Sequence, residues 1–270
     1  MFQTILIQPL TNGLIIFYKL LGQNLGLAII GFSLFLRFIL NPLTKPYMES
    51  MKKMKDFAPQ LEKIKYKFKG DKMKLAKAQS DFYKEKGINP GAGCLPYLLQ
   101  IVVLIAFFNV FTKTLTPDGN ITAKFNELLY EPLRFSQEET INTKFLYLDV
   151  AKPDTFRVDF IPFALPGLVI IIAALVQLLS SQMMLPAVKQ EDKIAKKTKG
   201  KSDDIASSMQ QSMSYTFPIF TLIIGTSFPS GLAIYWFIFS LWQLVQQYQT
   251  YGIGGLRPWF IKLGLIKSVN

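Results

Sequence analysis

Five apolar runs separated by lysine-rich segments constrain this chain more than any single motif does. They lie at 24–45, 92–115, 161–185, 208–228 and 229–250. A bilayer core of ~30 Å is crossed by ~20 helical residues, and inside it the backbone must satisfy its own polar groups. The last two runs form one apolar block. It divides at Phe228-Pro229-Ser230-Gly231, because Pro and Gly together mark a tight turn and one helix of over ~40 residues would overshoot the bilayer. Pro218 is expected to kink the fourth run, which is tolerable where a neighbour satisfies the carbonyl that it frees. The pattern predicts an all-α polytopic membrane protein with five transmembrane helices.

Charge orients these helices. The chain carries 30 Lys and Arg against 18 Asp and Glu, a balance that in a soluble protein points to nucleic acid. Here the lysines lie between apolar runs, so topology and anionic headgroups are the expected reason, and no specific nucleic acid is expected. With the amino terminus outside, segments 46–89, 186–207 and 251–270, with the span ends beside them, hold 22 basic residues, against 7 for the outside segments. That bias predicts an outside amino terminus and an inside carboxyl terminus. Residues 1–23 read as an external interfacial amphipathic segment without the basic start of a signal peptide. Residues 116–160 form an external loop, 186–207 a cytoplasmic loop and 251–270 a cytoplasmic tail.

Segment 46–89 is patterned rather than merely basic. Met48, Met51, Met54, Leu61 and Phe68 recur at helical spacing. Gly70-Asp71 breaks and recaps, Phe82 continues an apolar side, and Gly87 fits the position after a helix end, with Pro90 beyond it. This predicts a cytoplasmic helical hairpin between the first and second spans, with Pro59 bending or restarting its first helix. Either the apolar stripe packs on itself, or a Met-rich face receives varied apolar chains.

Arg37 is the charge deep within a predicted span. Arginine keeps its proton in a protein, so it must be hydrated or paired there. The spans supply no Asp or Glu, and the chain has no His. Arg37 therefore either snorkels to the headgroups or faces water held within the bilayer. Polar residues fall in stripes on other spans: Gln177, Ser180 and Ser181 on the third; Gln210, Ser214 and Thr221, with Tyr215 beside them, on the fourth; Trp236, Ser240, Gln243 and Gln247 on the fifth. Gln100 lies early in the second. Each could serve an interhelical hydrogen bond; together with Arg37 they suggest a shared polar groove.

No phosphate-binding glycine loop, paired carboxylates or activated serine occurs, so an enzyme is not expected. The single cysteine, Cys94, permits no internal disulfide, and no metal or cofactor is expected.

Several stretches resemble the YidC membrane-protein insertases, bacterial relatives of the mitochondrial Oxa insertases. They are Leu36-Arg37-Phe-Ile-Leu-Asn-Pro-Leu43, the hairpin containing Pro59, Gly87-Ile-Asn-Pro-Gly-Ala-Gly-Cys-Leu-Pro-Tyr-Leu-Leu-Gln100, Phe228-Pro-Ser-Gly-Leu232 with Tyr235-Trp236, and Gln246-Gln247. They extend over about 25–250 and lack the large external domain of Gram-negative members. The resemblance implies a five-helix bundle whose groove opens to lipid and cytoplasm, with Arg37 matching the groove arginine and Gln100, Gln177 and Trp236 matching lining positions. It implies nascent membrane proteins as substrates, and the Sec translocon, ribosome and signal-recognition machinery as partners. The loop 116–160 is long for the compact form, and the tail is short where a long basic tail aids ribosome binding in some relatives. The alternative reading from the residues is a secondary transporter binding a small organic anion at Arg37.

Overall fold

The computed structural model describes residues 2–68, 70–89, 95–115, 120–136, 138–184, 205–253 and 256–264. It is mostly helical. A π-helical turn, Gln3–Ile7, leads into α1 (Gln8–Leu20). Then follow α2 (Leu25–Asp56), α3 (Ala58–Lys67), α4 (Lys72–Glu85), α5 (Leu95–Thr114) and α6 (Ile121–Asn126). Next come two short antiparallel hairpins, β1 (Lys144–Phe145) with β2 (Leu148–Asp149) and β3 (Thr155–Phe156) with β4 (Leu165–Pro166). The chain continues through α7 (Leu168–Met184), α8 (Ile205–Gly225), α9 (Ser230–Tyr251) and α10 (Arg257–Lys262).

Local chemistry sets the boundaries. The Asn24 side chain accepts from Leu27 N at 3.1 Å and opens α2, satisfying one of the amides that a helix start leaves unpaired. Asp71 accepts from Lys74 N at 3.0 Å and opens α4. That backbone bond, aided by the Lys74 ammonium at 3.1 Å, holds the Asp71 carboxyl below its usual range. Gly87, at φ +60°, follows the α4 C-cap in the left-handed region that glycine enters freely. α3 starts at Ala58, so Pro59 sits in a first helical turn, where its missing N–H costs nothing.

Several bounds differ from the apolar runs. α2 continues through Pro42 and Pro46 to Asp56, well beyond 45. α7 starts at Leu168 rather than 161, because Leu165–Pro166 is held as a strand against Thr155–Phe156. The loop after α5 carries two β-hairpins that the all-α expectation omits. By length and composition one described stretch, Leu25–Thr44, is long and apolar enough to cross a membrane, while Ile101–Thr114, Leu168–Met183 and Ser214–Gly225 are apolar but shorter.

The chain divides into two compact units. The first comprises Met1–Leu40, Leu98–Gln177 and Phe217–Gln243. Its core joins Leu14, Ile15 and Tyr18 of α1, Leu25, Ala28, Ile29 and Phe32 of α2, Phe107, Val110 and Phe111 of α5, and Leu232, Tyr235 and Ile238 of α9. Phe125, Leu128, Leu148 and Val150, from the loop expected to be external, are buried in the same cluster. That segment is a packed cap rather than a slack connection. Buried Asn12 fastens α1 to it, donating to Leu128 O at 3.1 Å and accepting from Tyr130 N at 2.8 Å. Ser230 N and Gly231 N, at the start of α9, donate to Lys152 O and Val150 O. Residues 1–23 are thus only partly interfacial in character: Leu14, Ile15 and Tyr18 are buried, whereas Ile5, Ile16 and Leu20 are exposed.

The second unit comprises Asn41–Tyr97, Leu178–Thr216 and Leu244–Asn270. Within it α3 and α4 pack as a hairpin around Leu61 and Leu75, with Phe57 edge-on to Phe82 at 5.9 Å.

Candidate functional site

Arg37 lies on an unbroken stretch of α2, half-buried, with its guanidinium 3.7 Å from the centre of the Phe239 ring on α9. A cation over an aromatic face is attracted by the ring quadrupole, more strongly where water is scarce. Tyr235, one turn earlier on α9, is also close enough to interact with it electrostatically. Phe38 packs edge-on against Trp242 at 5.0 Å.

The helix register bears on how Arg37 is solvated. Gly231 on α9 faces Ile29 on α2, and eight residues later on each helix Phe239 meets Arg37. The guanidinium therefore stays level with its own turn instead of stretching towards Lys45. Continuity of α2 through Pro42 makes the distance to Lys45 ~12 Å at 1.5 Å per residue. Beside this point the indole N–H of Trp242 is buried with no hydrogen-bond partner among the described residues.

The other predicted groove residues separate by environment. In the first unit Gln177 accepts from Thr221 Oγ1 at 2.8 Å. Trp236 is buried and, with Thr221, Gly225 and Phe228, lines a small apolar recess. Ser240 is buried and donates to Trp236 O at 2.9 Å, within its own helix. Gln243 is half-buried, one turn beyond Phe239. In the second unit Ser181 is half-buried and Tyr215 is exposed. The side chain of Gln100 lies outside the described residues. Arg37 meets Phe239 on α9, one turn before Gln243, whereas Gln177 and Ser240 are engaged in helix contacts.

Gln247 of the predicted stripe and Gln182, which no stripe included, complete this picture. Buried Gln247 accepts from Ser180 Oγ at 2.6 Å, and Gln182 donates to Ser214 Oγ at 3.4 Å. Ser181 explains how α8 tolerates its proline. Pro218 has no N–H to give Ser214 O, and Ser181 Oγ, which shares its one proton with Leu178 O at 2.8 Å, reaches that carbonyl at 3.0 Å. Ser181→Ala is expected to cost about 1 kcal/mol, and about none in a Pro218→Ala background, where residue 218 regains its own N–H. A double-mutant cycle on the thermal midpoint in detergent checks this; equal losses in both backgrounds would refute the assignment.

On the hairpin, Leu61 is buried and Met48, Met54, Phe68 and Phe82 are half-buried. The Met51 side chain lies outside the described residues. Part of the stripe is consumed by α3–α4 packing, while Tyr66 and Met73, which the stripe did not include, are exposed. The segment 186–204 also lies outside the described residues.

Residues 16–253 match the family described as 60Kd inner membrane protein. The chain belongs to this family. Family membership places it in a membrane. It is 31% identical over 225 residues to the "Membrane protein insertase YidC" of Fusobacterium nucleatum subsp. nucleatum, covering 83% of this chain and 85% of that protein. It is likewise 31% identical to the protein of that name from Campylobacter jejuni subsp. jejuni, covering 91% of this chain but 37% of the longer relative. The "Membrane protein insertase YidC 2" of Bacillus anthracis is 26% identical over 250 residues, covering 79% of its length. Nothing in these matches to the 60Kd inner membrane protein family supports the anion-transporter alternative.

Proposed function

We propose that this chain is a membrane-protein insertase and chaperone with no energy-coupling site of its own. Five helices would span the bilayer, with the amino terminus outside and the carboxyl terminus inside. The α3–α4 hairpin would lie in the cytoplasm and meet an emerging apolar segment through Tyr66, Phe68 and Met73, together with Met48 and Met54 in the last turns of α2, while its lysines met anionic lipid headgroups. The polar face around Arg37 and Gln243 would then shorten the apolar path of a hydrophilic tail. Transfer of the substrate's apolar helix into lipid would drive the step, at ~25 cal/mol per Å2 buried. Nascent membrane proteins are the substrates of this scheme. The Sec translocon, ribosome and signal-recognition machinery are the expected neighbours.

One observation carries the reading: a charged side chain on an apolar helix stays level with its own turn, 3.7 Å from the centre of the Phe239 ring. Such a place suits water at rest and a polar chain in transit. The test is a photo-crosslinker at Arg37, Gln177, Trp236 or Gln243 during stalled synthesis of a short membrane protein. Adducts to the nascent chain at Arg37 and Gln243 are expected, with fewer at Gln177 and Trp236, which face protein. Absence of adducts at all four positions would defeat the groove.

A further inference from the structure

The segment between β3 and β4 exposes a density of aromatic side chains that no soluble loop requires. Phe160 is 84% exposed and Phe163 64%, with Pro162 between them and Phe156 exposed at the end of β3. Large rings left in water are costly unless something covers them. The hairpin is not slack: Thr155 pairs with Pro166, Phe156 with Leu165, and Ile161 N donates to Val158 O at 2.9 Å. Asp154 and Gly167 lock its base, Gly167 N donating to Asp154 O at 2.7 Å and Val169 N to Asp154 Oδ2 at 2.9 Å. The rings are thus held out by a braced scaffold.

What covers them follows from continuity. The hairpin runs directly into α7, whose exposed residues Leu168, Ile172 and Leu175 recur at i, i+4 and i+7. In a membrane protein such a stripe is turned towards lipid. The aromatic tip continues the stripe from the end where α7 begins; exposed Arg157 and Lys152 lie beside it, with exposed Asp159 next to Phe160. An aromatic and apolar tip beside basic residues suits the boundary between acyl chains and anionic headgroups.

We propose that the β3–β4 hairpin is a membrane-interface anchor, whose Phe160 and Phe163 enter the lipid boundary beside the start of α7. It rests on the reading of α7 as membrane-embedded. The anchor fixes the height of α7 and, through Asp154, ties the packed cap to the bilayer surface.

The test uses the full chain in phosphatidylcholine–phosphatidylglycerol vesicles containing lipid brominated either near the headgroup or deep in the acyl chain. Single tryptophans at Phe160, Leu175 and the exposed loop residue Glu138 are compared after subtraction of the three native tryptophans. Phe160→Trp should be quenched at least about twofold more than Glu138→Trp, and more by shallow than by deep bromine. Leu175→Trp, seven residues or ~10 Å along α7 from its first residue Leu168, should show the reverse depth preference. Quenching at Leu175 with Phe160 behaving like Glu138 would overturn the anchor and leave the embedding of α7 intact. Quenching at neither position would overturn both. A blue-shifted Phe160→Trp that bromine does not quench would mean a protein partner covers the tip, which also overturns the proposal.

Discussion

Arg37→Ala should reduce insertion of substrates with acidic translocated tails by about tenfold, the equivalent of 1.4 kcal/mol, while neutral tails change by less than about twofold. The argument is electrostatic. Between partly buried groups at an effective dielectric near 20, a charge pair at 4 Å is worth ~4 kcal/mol before the costs of desolvation, several times its value in water. A guanidinium 3.7 Å from the centre of the Phe239 ring and level with its own turn does not reach along α2 towards Lys45. Arg37→Lys retains the charge but lacks the planar group that stacks on a ring, so it should keep more than half of the acidic-tail activity. Phe239→Leu removes the stacking surface and leaves the charge, and a loss confined to acidic tails is again expected, though smaller. The measurement is the protected fraction of matched acidic and neutral substrates in reconstituted vesicles. Equal loss for both tails in Arg37→Ala would exclude charge attraction; no loss for either would exclude a role for Arg37 in the path.

How much of this could be read beforehand depended on how far each signal extended along the chain. Helices α2, α5, α7, α8 and α9 lie on long apolar runs, and a run of that length declares itself without a partner. The stripe Gln177, Ser180 and Ser181 was equally visible, but spacing cannot say what a polar face meets. In the fold these residues meet Thr221, Gln247 and the carbonyl of Ser214, which accounts for the stripe without water. For Arg37 the contact on the page is the Phe239 ring rather than a second polar stripe. The cap between α5 and α7 was hidden for another reason. Its strands are two residues long, too short for a period, and side chains distant in sequence hold it. Asn12 to Leu128 and Tyr130, and Tyr18 Oη accepting from Asn142 N at 2.9 Å, are contacts between positions more than a hundred residues apart. Phe163 reads as the start of the span at 161–185 and Phe160 as the end of the loop 116–160; a strand pairing at Pro166 makes both a hairpin tip.

The same cap sets the second large effect, at Gly26. A Cβ built on Gly26 would lie 2.4 Å from Phe145 Cβ and 2.2 Å from Phe145 Cγ. Rotating the ring relieves the second contact but not the first, because Cβ is fixed to the backbone. Gly26→Ala must therefore push β1 away from α2. That displacement strains Leu25 N to Asn142 O at 3.1 Å and Asn24 Nδ2 to Lys144 O at 2.9 Å. Overpacking costs about 1–3 kcal/mol, and each lost hydrogen bond adds about 1 kcal/mol, so a destabilisation of about 3 kcal/mol is expected. The rescue pattern identifies the cause. Phe145→Ala in the Gly26→Ala background removes the ring from Cγ outwards but keeps Cβ and should recover little, whereas Phe145→Gly removes Cβ as well and, judged against the same changes at 145 in the wild-type background, should recover most of what the clash cost. Thermal midpoints in detergent rank these proteins, and limited proteolysis reports where the damage lies. Gly26→Ala should expose the segment between residues 138 and 166 to cleavage while α3 and α4 keep their wild-type pattern. A Gly26→Ala protein with the wild-type midpoint would show that β1 moves freely against α2, and the cap would then be a loosely held flap rather than a closed outer end of the core.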